Sequence, residues 1–168
     1  MASKVIPPKA AIVGYIQQAA RKRGIDPEIA VKVAKSEGLN ADPNEGWQSR
    51  YVKDGKGEES YGPFQLYMGG GLGNKFQKST GLDARDPTTV FQQIDFALDH
   101  AAKNGWGAWY GAKRVGLSNQ AGIGKNAVQR GVEGGVLDVS LEARDARSIA
   151  DKIEFADLDM PSSEGGGR

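Results

Sequence analysis

The sequence predicts a mainly α domain, a helical bundle around one central helix with a loop-rich insertion. Three observations carry this. Segments 8–23, 26–37 and 86–104 each repeat apolar residues at the helical period, with glycine at the C-terminal boundary of each. The stretch 39–59 is polar, rich in glycine and charge, and lacks that period. The chain of 168 residues is long enough for one domain with a real core, and it shows neither an internal repeat nor a second domain.

The elements follow in order. Residues 1–8 read as an unstructured arm. Pro8 opens a helix to about Arg23, with Ile12, Tyr15, Ile16, Ala19 and Ala20 on one side. Arg21, Lys22 and Arg23 complement its negative end, a better reading than a patch for polyanions, and Gly24 stops it. Asp26 is a good N-cap for the second helix, Pro27 sits where a missing N–H costs nothing, and Gly38 is placed for a left-handed stop. Phe76 to Thr80 makes a short helix ended by Gly81. Asp86 caps the longest helix and Pro87 starts it. Val90, Phe91, Ile94, Ala97, Leu98 and Ala101 form its stripe, and Gly105 ends it. Ser118 to Arg130 holds a short helix, and Ser140 caps another from Leu141 to Ile153. Residues 154–168 read as a flexible tail. The folded domain is thus expected over 9–153.

Composition excludes several function classes. A net charge of +1 gives no support to a nucleic-acid partner. The absence of cysteine removes disulfides and thiol chemistry. No stretch is long enough to span a bilayer. The single His100 lies off the stripe of its helix beside Asp99 and reads as a surface residue rather than a metal ligand. No metal or cofactor is expected. The 24 glycines, about twice the usual share, imply tight turns or close backbone approaches.

Glu37 is the residue with chemistry. Ile29, Val33 and Glu37 are four apart and share a helix face, so the carboxyl lies on the apolar stripe. It also sits in the last turn, at the negative end of the helix dipole. Burial and dipole both raise its pKa, which suits a general acid. A partly exposed glutamate at a frayed helix end satisfies the same spacing.

Ser36-Glu37-Gly38 followed by Ser60-Tyr61-Gly62-Pro63-Phe64-Gln65-Leu66 resembles the lysozyme-like superfamily, in particular soluble lytic transglycosylases and phage or secretion-associated peptidoglycan hydrolases. Gly62-Pro63-Phe64-Gln65 stands where that family has Gly-Leu-Met-Gln, and Trp109-Tyr110-Gly111-Ala112 looks like its Tyr-Asn-Ala-Gly motif. The resemblance covers residues 10–124. It implies an α+β lysozyme-like fold, with 39–59 forming a small hairpin lobe beside a substrate cleft. Departures are Gly38 for the family's Ser, Gly111 for its Asn, and Lys56 for a Ser nine residues before the Gln. Goose-type lysozymes place carboxylates where this chain has Lys56 and Tyr67, so no second catalytic carboxylate carries over.

The resemblance implies cleavage of the MurNAc-β-1,4-GlcNAc bond of peptidoglycan with Glu37 as catalytic acid. Gln65 and Tyr110 would position Glu37 and the N-acetyl group. Phe64, Tyr61, Ser60, Glu59 and Trp109 complete the expected substrate-binding set, the aromatic rings serving as sugar platforms or equally as core filling. The glycine run 69–73 would let backbone pass close to a sugar. With one placeable glutamate the route is expected to be lytic transglycosylation, in which the muramic acid's C6 hydroxyl attacks. The alternatives are a hydrolytic muramidase with Glu59 or Glu45 as second carboxylate, and a non-catalytic glycan-binding virion component. The N-terminus lacks the apolar core of a signal peptide. Action in the periplasm or cell wall would then depend on a virion or a dedicated export route, with virion or secretion-apparatus proteins as partners through the termini.

Overall fold

A computed structural model describes residues 4–124. Among the described residues the architecture is mixed α+β: five α-helices and two small antiparallel sheets of two strands each. The helices are α1 (Lys9–Lys22), α2 (Pro27–Glu37), α3 (Leu72–Thr80), α4 (Val90–Asn104) and α5 (Tyr110–Arg114). The strands are β1 (Val52–Lys53), β2 (Lys56–Gly57), β3 (Ser60–Tyr61) and β4 (Leu66–Tyr67). The readings for 125–153 and for the tail 154–168 lie outside the described residues.

The caps act as the sequence suggests, with one exception. Asp26 accepts from the backbone N–H groups of Glu28 and Ile29, satisfying donors that a helix start leaves orphaned. Asp86 accepts from Thr88 N, although the turn it starts, Pro87–Thr89, is 3₁₀ before α4 begins. Gly24, Gly81 and Gly105 all take positive φ. The exception is Gly38, whose φ of −133° is not left-handed. Glycine is required there by space: a Cβ would lie within 3.0 Å of the Gly62 carbonyl oxygen and the Gln65 amide. Helix α3 starts at Leu72, four residues earlier than the spacing suggests, because Asn74 Oδ1 accepts from Gly71 N and closes its first turn.

Helix α1 packs against both α2 and α4, and α2 against α5. Ile12, Ile16 and Ala20 of α1 meet Ala30, Val33 and Ala34 of α2 and Ile94, Leu98 and Ala101 of α4 in one core. At the edge of that core Tyr15 stacks on Phe91 at 4.4 Å and donates to Asp95. Arg23 bridges Asp95 and Asp99, so one of the three basic residues at the end of α1 is tied to α4 rather than left to the dipole alone. The segment expected to be an unstructured arm is partly anchored: Lys4 pairs with Asp86 at 3.0 Å and Ile6 packs on the core. Residues 118–124 are turns rather than helix, and Ile123 bridges Ile25.

The short strands expected within 39–59 are present as a hairpin. β1 and β2 pair through a two-residue turn in which Asp54 and Gly55 both take positive φ, the backbone a tight hairpin needs. β3 pairs with β4 in the register Ser60 to Tyr67. Segment 46–51 runs along 58–62, with Gly62 N donating to Gly46 O and Ser49 N to Ser60 O. Among the described residues no helix is long and apolar enough to cross a membrane.

Candidate active site

Glu37 ends α2, one turn beyond the fully buried Val33, and its side chain is partly withdrawn from solvent. Its Oε1 accepts a hydrogen bond from the Gly111 backbone N–H in the first turn of α5. Burial pushes the Glu37 carboxyl above its ordinary value; the Gly111 N–H and the Arg114 guanidinium pull it down, and the Glu58 carboxylate pushes it further up. The rise expected from the sequence is thus carried by burial, one of the two causes named for it. The α2 C-terminus does not act unopposed, because Arg114 Nη2 donates to Ser36 O at 2.6 Å and Gly38 N to Ala34 O.

Two glycines make this approach possible. At Gly111 a Cβ would fall within 3.0 Å of Glu37 Oε1 and Ser36 Oγ. At Gly38 a Cβ would strike the 62–65 turn, and Gly38 N donates to Pro63 O at 3.1 Å. Two of the departures from the resembled motifs, Gly38 and Gly111, are thus places beside Glu37 where a Cβ has no room.

The 62–65 turn is braced by Gln65. Its Nε2 donates to Trp47 O at 2.7 Å and to Gly62 O at 2.9 Å. Both Gln65 (φ 49°) and Trp47 (φ 54°) hold left-handed backbone, which is uncommon for such side chains and concentrates strain beside Glu37. The amide nitrogen of Gln65 is committed to this brace, while its carbonyl oxygen accepts no hydrogen bond among the described residues.

Tyr110 is 75% exposed and starts α5, directly before the residue whose N–H holds Glu37. The Arg114 guanidinium lies 5.9 Å from its ring centroid. Tyr61 is half-buried on β3. Phe64 and Trp109 do not line an open cleft. They are 2% and 3% exposed, meet edge to face at 6.1 Å, and are joined by a bond from Trp109 Nε1 to Phe64 O. Both rings fill the core beneath the Glu37 loop because the indole N–H and the turn carbonyl satisfy each other there. Trp106 is likewise buried, donating to Ala121 O. His100 packs edge to face on Trp109, and burial lowers its pKa. Among the described residues no cluster of His, Cys, Asp or Glu could hold a metal.

Ser60 is buried and cannot reach a ligand; its Oγ donates to Glu58 Oε2 at 2.6 Å. Glu59 and Glu45 are exposed. Glu59 faces a groove of about 640 Å³ on the hairpin lobe, between Tyr51 and Tyr67, that Glu58 also lines and Glu37 does not. The glycine run 69–73 serves packing: a Cβ on Gly73 would meet Met68 and the Tyr67 carbonyl, and one on Gly69 the Tyr67 ring.

Comparison with protein-family models, characterised proteins and solved structures finds no match to this chain. The site stands on its geometry. Sequence reasoning passed over Arg114 and Glu58. The first was findable, four residues after Tyr110 on one helix face. The second was not, since its neighbours Glu59 and Ser60 carry the same local signal and only the pairing of 58–62 with 46–51 separates them. Chemically, the arrangement holds one partly desolvated carboxyl whose pKa burial raises, fixed by the backbone donor that follows the exposed Tyr110.

Proposed function

We propose that this chain cleaves peptidoglycan glycan strands at the MurNAc-β-1,4-GlcNAc bond, on a lysozyme-like arrangement of helices and hairpin lobe. The observation that carries the reading is Glu37: a carboxyl whose protonation is favoured by burial and whose position is fixed by Gly111 N–H. Breaking a glycosidic bond requires protonating a poor leaving oxygen while positive charge builds at the anomeric carbon. A carboxyl that stays protonated nearer neutrality supplies that proton. Tyr110 flanks the carboxyl with an exposed ring, and the free Gln65 carbonyl oxygen suits the N–H of an N-acetyl group. Such a substrate would put the protein's work at the bacterial cell wall.

The test is a digest of purified sacculi. Wild-type protein releases soluble muropeptides, and Glu37→Gln lowers the rate by about two to four orders of magnitude while the melting transition persists. Glu37→Gln protein with wild-type activity refutes the assignment. Pelleting with sacculi without release of any fragment by the wild type leaves a glycan-binding module instead.

A further inference from the structure

The groove of about 640 Å³ on the hairpin side of the molecule takes no part in the chemistry assigned to Glu37, yet several of its lining groups are fixed in place. Tyr67 is exposed, and the glycine run beyond it holds the ring: a Cβ on Gly69 would strike the phenol, and one on Gly71 would lie 3.0 Å from the ring. Tyr51 is exposed too, with its backbone tied on both sides. Its N–H donates to Ser49 Oγ at 3.2 Å, and its carbonyl accepts from Glu58 N at 2.8 Å. The Glu58 carboxylate is oriented by Ser60 Oγ at 2.6 Å and Ser49 Oγ at 3.4 Å, and it keeps lone pairs for a further donor. Lys53 and Lys56 also line the groove. They are cross-strand partners in the β1–β2 pair, and neither has a salt-bridge partner among the described residues. Like charges set opposite each other on a strand pair work against the hairpin, so stability does not account for the two ammonium groups.

We propose that this groove binds a short peptide carrying both carboxylates and an amine, and that it takes the peptide stem attached to the muramic acid of the strand being cut. This assignment rests on the glycan-cleaving reading above. The chemistry is complementary. Carboxylates of the stem pair with Lys53 and Lys56, its side-chain ammonium meets Glu58, and its methyl and methylene groups lie on the rings of Tyr51 and Tyr67. Binding of this kind offsets the ammonium pair that the hairpin otherwise carries uncompensated. A sugar strand stripped of its peptides offers no ammonium to Glu58. Reach is sufficient as well. Residues 58–62 run at most about 14 Å from the groove to Gly62, whose carbonyl packs against Gly38, next to Glu37. The bonds from Ser49 N to Ser60 O and from Gly62 N to Gly46 O hold that segment. An extended stem of about four residues spans about 13 Å, which matches the run from a sugar at Glu37 to the groove.

The experiment titrates ¹⁵N-labelled protein with N-acetyl-L-Ala-γ-D-Glu-L-Lys-D-Ala. Separately, it measures cleavage of soluble peptidoglycan strands with their stems and of the same strands stripped by an amidase. Expected are amide shifts concentrated at residues 51–59 and 67 that weaken with salt. Lys53→Glu combined with Lys56→Glu should lower the affinity about tenfold, because two exposed charge pairs turn repulsive. Acetylating the lysine side chain of the peptide should weaken wild-type binding about threefold, and this arm leaves the protein's fold untouched. In Glu58→Gln the free and acetylated peptides should bind alike. The wild type should cut strands with stems faster than stripped ones, and the double lysine variant should narrow that ratio. Shifts outside the groove, unchanged binding in the double lysine variant, equal wild-type affinity for both peptides, or equal wild-type rates on both strands each overturn the proposal while leaving Glu37 as acid. No fragments from either strand overturn the glycan-cleaving reading instead, and the groove as a peptide site then stands or falls on the titration.

Discussion

Gly111→Ala is the sharpest probe of the site, because local propensity and tertiary contact predict opposite outcomes. Residue 111 lies in α5, where alanine is favoured over glycine by about 1 kcal/mol. Propensity alone thus makes the variant more stable. The structure puts the new methyl 3.0 Å from Glu37 Cδ and closer still to Glu37 Oε1 and Ser36 Oγ. Overpacking of this kind costs about 1–3 kcal/mol. The carboxyl can instead swing away, which loses the bond from Gly111 N–H, a hydrogen bond to a charged-type acceptor worth about 1.5–3 kcal/mol. Either route outweighs or cancels the helix gain, leaving a net loss of about 0–2 kcal/mol. Activity responds far more strongly, since the proposed acid leaves its position. The assay pairs a thermal melt with muropeptide release from sacculi. A Tm change of a few degrees with a rate loss of about 100-fold or more fits the geometry. A raised Tm with full activity refutes it, because Glu37 would then not depend on the Gly111 N–H.

Three further outcomes follow from the same contacts. Gly38→Ser, which installs the residue of the resembled motif, should lower stability by about 1–3 kcal/mol in a denaturant titration, as its Cβ meets the Gly62 carbonyl; an unchanged midpoint shows that the 62–65 turn yields freely. Glu37→Gln should melt level with wild type at pH near 4 and above it at higher pH. The folded carboxyl is raised above its ordinary 4.5, so wild type loses stability as pH climbs through that raised value while the amide does not. A gap that widens toward acid contradicts the sign. Arg114→Met removes a charge that lowers the Glu37 pKa, so the alkaline limb of the pH–rate profile should move to higher pH; a limb moving to lower pH places Arg114 elsewhere.

Helices were readable from sequence because period and caps are local. Asp26 before Pro27 and Asp86 before Pro87 announce starts that need no tertiary information, and both aspartates cap as expected. The Asp54-Gly55 hairpin carried an equally local signal. Side-chain exposure in the aromatic runs was not local. Phe64 and Trp109 lie 45 residues apart and are buried because one's N–H finds the other's carbonyl, a pairing invisible to spacing. The same holds for Gly38 and Gly111. Read along the chain, Gly38 is a helix stop and Gly111 a substitution for asparagine; in space each leaves no room for a Cβ where another segment packs at or beside Glu37.

The environment of Glu37 is a balance between two helix ends. α2 brings the carboxyl in on its negative end, where a carboxylate is disfavoured, but Arg114 and Gly38 donate to two of the carbonyls there, those of Ser36 and Ala34. α5 presents its first-turn N–H from the opposite side, which favours the charged form. Burial is the largest influence on the carboxyl and sets the direction of its shift, and the 62–65 turn packs against Gly38 beside it. That turn is held by Gln65 on the Trp47 carbonyl, at two strained residues whose geometry nothing local favours. The two left-handed residues thus lie in and against the turn that packs on Gly38, the residue next to Glu37.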